Sequence, residues 1–141
     1  MKSHKFWLKT AAVLQLITAF VHALSFLRSP QPTSEEEKQM YDWMITLKKD
    51  LGAGFNPSMM DFFYALSSCF TLLYLLGGLI NFYLLRQKAE DKLMKGIVNI
   101  NLLVFTACFV ITAWLTFLPP IIFTGLVFMT LAGARLTINK S

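Results

Sequence analysis

A histidine inside an apolar stretch is the first feature of this sequence that could do chemistry. His22 lies in "QLITAFVHALSFL", which begins at Gln15 and is mostly apolar. Gln15, Thr18, His22 and Ser25 follow one another at steps of three, four and three residues. On an α-helix these steps place all four side chains on one face. This polar stripe therefore predicts the side of the helix that faces other helices or a cavity.

A second polar stripe, again with steps of three and four, comprises Asp61, Tyr64, Ser68, Thr71 and Tyr74. Asp61 and Tyr64 are expected near the depth of His22. An aspartate can accept a hydrogen bond from one ring nitrogen of a histidine and fix its tautomer, which leaves the other nitrogen for a ligand. His22 and Asp61 are therefore the candidate catalytic or ligand-binding pair, and a neighbouring tyrosine could donate to a ligand carbonyl.

Two further apolar segments are expected to bring side chains to the same level. Thr112, Trp114 and Thr116 lie in one of them, and Thr124 lies in the other. The predicted ligand-binding set is then Gln15, Thr18, His22, Asp61, Tyr64, Ser68, Trp114 and Thr124. Ionisable groups within apolar segments are costly and tend to mark function.

A purely structural interpretation of the same residues stays open. In "NPSMMD", Asn56 or Ser58 can cap a helix, and Ser58 with Asp61 has the spacing of a capping box. Asp61 would then satisfy backbone N–H groups, and His22 would hydrogen-bond to a neighbouring helix.

The elements that position these residues are long and apolar. Of 141 residues, 55% are apolar and 15% are charged, and the clustering of the charges indicates an integral membrane protein. Four stretches are long enough to cross a bilayer as helices: about 6–27, 58–85, 96–118 and 120–138. The predicted fold class is all-α, an integral membrane four-helix bundle that forms one domain over residues 1–141.

The segment between the first two spans predicts an additional helix. Prolines at its start end the first span, and Thr33 or Ser34 can cap a new helix, with Glu36 or Glu37 closing a capping box. Apolar residues then recur at helical spacing: Met40, Trp43, Met44, Leu47 and Leu51. We expect an amphipathic helix over about 34–51, ended by Gly52 or Gly54, that lies on the outer membrane surface or covers the bundle.

Lysine and arginine residues set the expected orientation. Nine lie on one side of the predicted spans: Lys2, Lys5, Lys9, Arg86, Lys88, Lys92, Lys95, Arg135 and Lys140. Four lie on the other: Arg28, Lys38, Lys48 and Lys49. Because cytoplasmic loops carry the excess of positive charge, both termini should be cytoplasmic. The predicted localisation is multi-pass in the cell or inner membrane.

Several function classes are excluded. The net charge of +5 does not indicate nucleic-acid binding, because the basic residues flank apolar spans and form no stripe on a soluble fold. The sequence has no HExxH, Walker A, GxSxG or CxxC motif. Neither a metal nor a cofactor is expected.

In size and four-span layout the chain resembles the small four-helix bacterial membrane proteins described as DoxX-like. The resemblance is architectural and implies no residue role or activity, because "AAVLQLITAFVHALSFL" lacks the glycines of that family's first helix. Three hypotheses of function remain. The first is binding of a lipid or other small apolar ligand in a pocket in the outer half of the bundle. The second is an isomerase or oxidoreductase with His22 and Asp61 as its acid–base pair. The third is an accessory subunit of a larger membrane complex or a homo-oligomer.

Overall fold

The chain is all-helical, as the sequence predicts. The structure, a computed structural model, describes residues 3–27 and 31–138. Its helices are α1 (His4–Ser25), α2 (Glu35–Thr46), α3 (Met59–Arg86), α4 (Asp91–Leu115) and α5 (Leu118–Ile138). These described residues contain no β-strand, and Lys48 and Ser58 form an isolated β-bridge. Four residues used in the predictions, Lys2, Arg28, Pro30 and Lys140, lie outside the described residues.

Four of the helices are long and apolar enough to cross a membrane. α1 has 22 residues, α3 has 28, α4 has 25 and α5 has 21, and about 20 residues are needed to cross about 30 Å of hydrocarbon. This pattern confirms the four long apolar helices and is compatible with a multi-pass membrane protein.

The largest boundary difference among these four helices is at α4, which begins at Asp91 instead of near residue 96. Glu90 is its N-cap residue and has extended backbone angles. Charged residues can form the first turn of a helix, because their backbone groups make the same hydrogen bonds as those of apolar residues. The carboxylate of Asp91 is also favourable at the positive end of the helix dipole. The apolar residues therefore predict the membrane span, and α4 begins more than one helical turn before that span.

The predicted helix over 34–51 is shorter than expected. α2 ends at Thr46, and Leu47 has extended backbone angles. Beyond it, Lys49 N–H donates to Pro57 O and Met59 N–H donates to Leu47 O, so the backbone groups of this segment bond across a loop. Gly52 and Gly54 have positive φ values of 82° and 83° in the turn of that loop, a conformation that glycine adopts without steric cost. No residue of α2 is buried.

The start of α2 is a capping box, as predicted. Ser34 is the N-cap residue, and its Oγ accepts from Glu37 N–H at 3.2 Å. The Glu37 carboxylate reaches back and accepts from Thr33 N–H at 2.6 Å and from Thr33 Oγ at 2.8 Å. These two hydrogen bonds to the charged form lower the pKa of Glu37 below its ordinary value.

Because the folded state lowers the pKa of Glu37, this carboxylate stabilises the start of α2 above its ordinary pKa, and the stabilisation is lost as pH falls through the lowered value. We expect the Thr33 and Glu37 amide resonances of the full chain in micelles to titrate together, with a midpoint below the ordinary pKa of a glutamate. Glu37→Gln should abolish the transition, and Glu35→Gln should retain it. A midpoint at or above the ordinary glutamate value would contradict this account of the cap.

The chain divides into two compact units. One comprises Met1–Ala19 and Leu73–Ser141, and the other comprises Phe20–Leu72. α1 and α3 contribute residues to both. We call them the terminal unit and the central unit; the single four-span domain expected from the sequence stays a prediction.

The terminal unit has a closely packed core. Fully buried apolar side chains come from all four of its helices, including Leu8, Tyr74, Val98, Phe105 and Val127. The rings of Tyr74 and Phe105 meet edge to face with centroids 4.8 Å apart, a favourable aromatic geometry. Glycines allow close approach, since an added Cβ on Gly133 would lie 2.8 Å from the Trp7 ring.

Candidate functional site

His22 lies in the central unit on α1, half-buried. Its Nδ1 is 2.8 Å from Thr71 Oγ1 on α3. Thr71 Oγ1 also lies 3.2 Å from the carbonyl oxygen of Ser67, four residues earlier on the same helix. The imidazole is therefore held to the neighbouring helix by one ring nitrogen.

These two contacts determine the tautomer that we assign to His22. A threonine hydroxyl has one proton, and threonines in helices commonly donate it to the carbonyl four residues back. When Thr71 donates to Ser67 in this way, its oxygen must accept from His22, so Nδ1 carries the proton. Nε2 then has a free lone pair, and no described side chain hydrogen-bonds to it. That atom can accept a hydrogen bond from a ligand.

Aromatic rings surround this imidazole. The Phe70 ring centroid lies 5.0 Å from that of His22, and the Phe26 centroid lies 5.5 Å away in an edge-to-face arrangement. Tyr64 extends the cluster, because its ring meets Phe26 edge to face at 6.0 Å. We call these four residues, His22, Phe26, Tyr64 and Phe70, the imidazole cluster. Nε2 of His22 is a hydrogen-bond acceptor among these rings, and Tyr64 adds a hydroxyl group.

Asp61 does not pair with His22. Its Oδ2 accepts from Ser58 N–H at 2.8 Å and from Ser58 Oγ at 2.7 Å, while Ser58 Oγ accepts from Asp61 N–H at 3.1 Å. This reciprocal arrangement is the capping box that begins α3. The structural interpretation of Asp61 is therefore the one that its contacts support, and the expected His22–Asp61 hydrogen bond is replaced by the His22–Thr71 contact.

Asp61 does not pair with His22 because the two residues lie at different levels along their helices. Asp61 and Thr71 are ten residues apart on α3, which corresponds to roughly 15 Å along a helix axis. Because Thr71 lies beside His22, Asp61 lies about three turns away from the level of the imidazole. Both residues belong to the predicted polar stripe, but a stripe specifies a helix face and leaves the axial level open. The expectation that Asp61 shares the depth of His22 was wrong.

Gln15 and Thr18 lie in the terminal unit and are both buried. Gln15 Oε1 accepts from Asn81 Nδ2 at 2.9 Å, and both side chains are fully buried. Thr18 Oγ1 donates to Leu14 O within its own helix at 2.7 Å. These contacts favour structural roles for both residues, and their predicted part in ligand binding stays a prediction.

The remaining predicted residues occupy different surroundings. Thr124 is fully buried and its hydroxyl lies 2.8 Å from that of Thr112, which links α5 to α4. Trp114, in the same terminal unit, is 86% exposed, so it does not share the buried position of Thr124. Ser68 is exposed and Tyr64 is 39% exposed, both in the central unit. A single pocket that contains all eight predicted residues stays a prediction.

Some contacts were missed by sequence analysis. His4, which precedes the first predicted span, is buried, and its Nε2 lies 3.3 Å from Asp91 Oδ1. Phe26 and Phe70 were not recognised as neighbours of His22. Thr71 was part of the predicted polar stripe, so periodicity had placed it on the correct face of α3 without indicating that His22 was its partner.

Known proteins give no guide to this site. The chain matches no model of a known protein family, no curated protein and no solved structure. Within residues 3–27 and 31–138, no group of three or more His, Cys, Asp or Glu side chains is placed so that it could hold a metal ion. The function must therefore be argued from the contacts themselves.

Proposed function

We propose that this chain is a multi-pass membrane protein that binds a lipid or other small apolar ligand at the imidazole cluster. The ligand would carry a hydroxyl or another hydrogen-bond donor, which His22 Nε2 accepts. The observation that carries this proposal is the contact of Nδ1 with Thr71 at 2.8 Å, since it orients the ring and leaves Nε2 available. The rings of Phe26, Tyr64 and Phe70 would contact the apolar part of the ligand.

Binding is better supported than catalysis. The enzymatic hypothesis required an acid–base pair, and Asp61, its second member, is engaged by Ser58 in a capping box. A half-buried imidazole with one fixed nitrogen is sufficient for recognition of a donor group. The Thr71 contact gives His22 a defined orientation although no carboxylate among residues 3–27 and 31–138 pairs with it.

We further propose that both termini are cytoplasmic and that the loop containing α2 faces the outer side. The support is the distribution of lysine and arginine, nine residues on the side of the termini and four on the other, which matches the positive-inside rule. His22 and Thr71 would then lie in the outer half of the bundle.

α2 would lie in the outer membrane interface in this topology. Its apolar residues Met40 and Trp43 are 49% and 73% exposed, and Leu47, which follows the helix, is 63% exposed. A helix that covered a protein surface would bury such side chains, whereas an interfacial helix immerses them among lipid headgroups, where tryptophan is enriched. Interfacial placement is therefore favoured over the role of a cover.

The binding proposal predicts discrimination between an alcohol and its ether. The full chain in micelles would be exposed to a long-chain alcohol that carries a photoreactive diazirine, or to the matching methyl ether, which cannot donate. We expect the alcohol to label the peptides of residues 20–27 or 63–72 about fivefold more strongly, the effect of one hydrogen bond of roughly 1 kcal/mol. His22→Phe, which keeps an aromatic ring without the acceptor, should remove this preference.

Two further variants test whether the preference for the alcohol depends on the orientation of the His22 ring. Thr71→Val keeps the side-chain volume but releases Nδ1, so it should weaken the preference for the alcohol without abolishing overall labelling. Asp61→Asn is the matched control and should leave the preference unchanged, since Asp61 lies about three turns from the ring. Equal labelling by alcohol and ether in the unmodified chain, or a preference that survives in His22→Phe, would refute the proposal.

A further inference from the structure

A shallow groove lies along the first turns of α4. It is open to its surroundings, and its volume is about 390 Å³. Such a groove can hold a headgroup and part of an acyl chain. The residues that line it are Glu90, Lys92, Leu93, Gly96, Ile97 and Ile100.

The lining changes from charged to apolar along the helix. Glu90 and Lys92 lie at its start, and Leu93, Gly96, Ile97 and Ile100 continue it over about 12 Å, at 1.5 Å per residue from Lys92. Leu93 is 54% exposed and Ile100 is 60% exposed. A Cβ added to Gly96 would meet no atom within 4 Å, so there is free space above this glycine in the groove. A polar end followed by an apolar channel fits an amphiphile.

The two charges at the polar end have opposite signs and are uncommitted within the described chain. Glu90 is the N-cap residue of α4, but its side chain makes no capping hydrogen bond. The neighbouring Asp91 is engaged by His4 at 3.3 Å. The groove therefore presents one carboxylate and one ammonium group, two residues apart.

We infer that this groove binds a phospholipid whose headgroup carries a primary ammonium beside its phosphate, as phosphatidylethanolamine does. The lipid ammonium would donate to the Glu90 carboxylate, Lys92 would donate to the lipid phosphate, and an acyl chain would lie over Gly96. A trimethylammonium headgroup has no N–H to donate to Glu90, and a glycerol headgroup has no cation. This inference rests on the membrane insertion contained in the proposed function, but it does not depend on the imidazole cluster.

The test is native mass spectrometry of the full chain, released from micelles that contain equal amounts of phosphatidylethanolamine, phosphatidylcholine and phosphatidylglycerol with identical acyl chains. We expect selective retention of phosphatidylethanolamine. Glu90→Gln and Lys92→Gln should each weaken that retention a few-fold, because each variant loses one ion pair with the headgroup. Gly96→Leu should weaken it by filling the groove, and the fold should tolerate this change because the site is open. Lys88→Gln, a charge change outside the groove, is the matched control and should have no effect.

Each alternative outcome overturns the inference in a recognisable way. Equal retention of the three lipids would show an unselective surface, and a preference for phosphatidylglycerol would show general attraction of anionic lipid to the basic loop. Retention unaffected by Glu90→Gln and Gly96→Leu would place any selective site elsewhere. The phosphatidylethanolamine preference is tested by the Glu90 and Gly96 variants and the alcohol preference by the His22 variant, so failure of the groove and failure of the imidazole cluster are told apart by different measurements. A chain that fails to integrate into micelles or bilayers at all would overturn both.

Discussion

Gly78→Ala is expected to destabilise the protein, whereas Gly96→Ala is expected to leave it equally stable or more stable. A Cβ on Gly78 would lie 2.8 Å from Leu16 Cγ, 2.9 Å from Leu16 Cδ2 and 3.2 Å from the carbonyl oxygen of Ala12. The last of these is a backbone atom, so relief requires α1 and α3 to separate. Overpacking of this kind typically costs about 1–3 kcal/mol.

Gly96 provides the matched control for helix propensity. Replacing glycine by alanine inside a helix is favourable by about 1 kcal/mol, and both glycines lie inside helices. Gly96→Ala gains this propensity term without a clash, since no atom lies within 4 Å of the added Cβ. The difference between the two variants therefore isolates the cost of the close helix approach.

The measurement is reversible unfolding of the full chain in mixed micelles, followed by tryptophan fluorescence. We expect Gly78→Ala to be less stable than Gly96→Ala by about 1–3 kcal/mol, which is the overpacking cost, because both variants gain the same helix propensity. Gly77→Ala should also be destabilising, because its Cβ would lie 2.7 Å from Gln15 Nε2 and 2.9 Å from the Phe105 ring, and both of these side chains are buried. If the Gly78 and Gly96 variants proved equally stable, α1 and α3 would not approach each other as the structure has them.

Local signals in the sequence were sufficient to predict the helices and two of their caps. The length of each apolar stretch indicated α1, α3, α4 and α5, since about 20 residues are needed per span. Ser34 with Glu37 and Ser58 with Asp61 were recognisable because a capping box joins residues only three apart. Such features depend on neighbours in the chain, so they are present before any tertiary contact forms.

The partners of the buried polar residues could not be obtained in the same way. Periodicity placed Thr71 on the same face of α3 as Asp61, but each turn of a helix offers another residue on that face, about 5.4 Å further along. The choice of Thr71 as the partner of His22 depends on how far one helix slides along its neighbour. That register depends on the packing between the two helices, which a helical wheel does not include.

α2 is shorter than predicted because intrahelical and cross-loop hydrogen bonds compete for the same backbone groups, and composition does not show which of them form. Residues 47–51 have apolar positions compatible with a helix, yet Lys49 N–H and Leu51 N–H bond across the loop to Pro57 and Phe55. Intrahelical bonds and cross-loop bonds satisfy the same backbone groups. The glycines that looked like helix stops are instead needed for the positive φ angles of the turn.

A buried pair of amides gives the second large effect that we expect. Asn81 Nδ2 donates to Gln15 Oε1 at 2.9 Å, and neither side chain is accessible to solvent. The other amide atoms, Gln15 Nε2 and Asn81 Oδ1, have no hydrogen-bond partner among the described residues. Burial of unpaired polar atoms is costly, so this pair stabilises the fold less than a fully bonded pair would.

This arrangement predicts strong coupling in a double-mutant cycle. Asn81→Leu removes the partner of Gln15 and leaves its amide buried without a hydrogen bond, at a cost of about 1–3 kcal/mol. Gln15→Met likewise leaves the Asn81 amide buried without a hydrogen bond. The double variant has no buried amide at this position and similar side-chain volume, so it should be as stable as the unmodified protein or more stable. The cycle should therefore give a coupling energy of about 1–3 kcal/mol.

Asn101 supplies the control for this cycle. Its Nδ2 donates to Ile97 O within α4, so Asn101→Leu should combine additively with Gln15→Met when unfolding is measured under the same conditions. Additive effects of Gln15→Met and Asn81→Leu would mean that the amides do not interact in the folded protein. Strong coupling between those two sites, with none to Asn101, would show that this buried polar contact joins α1 to α3 in the folded protein.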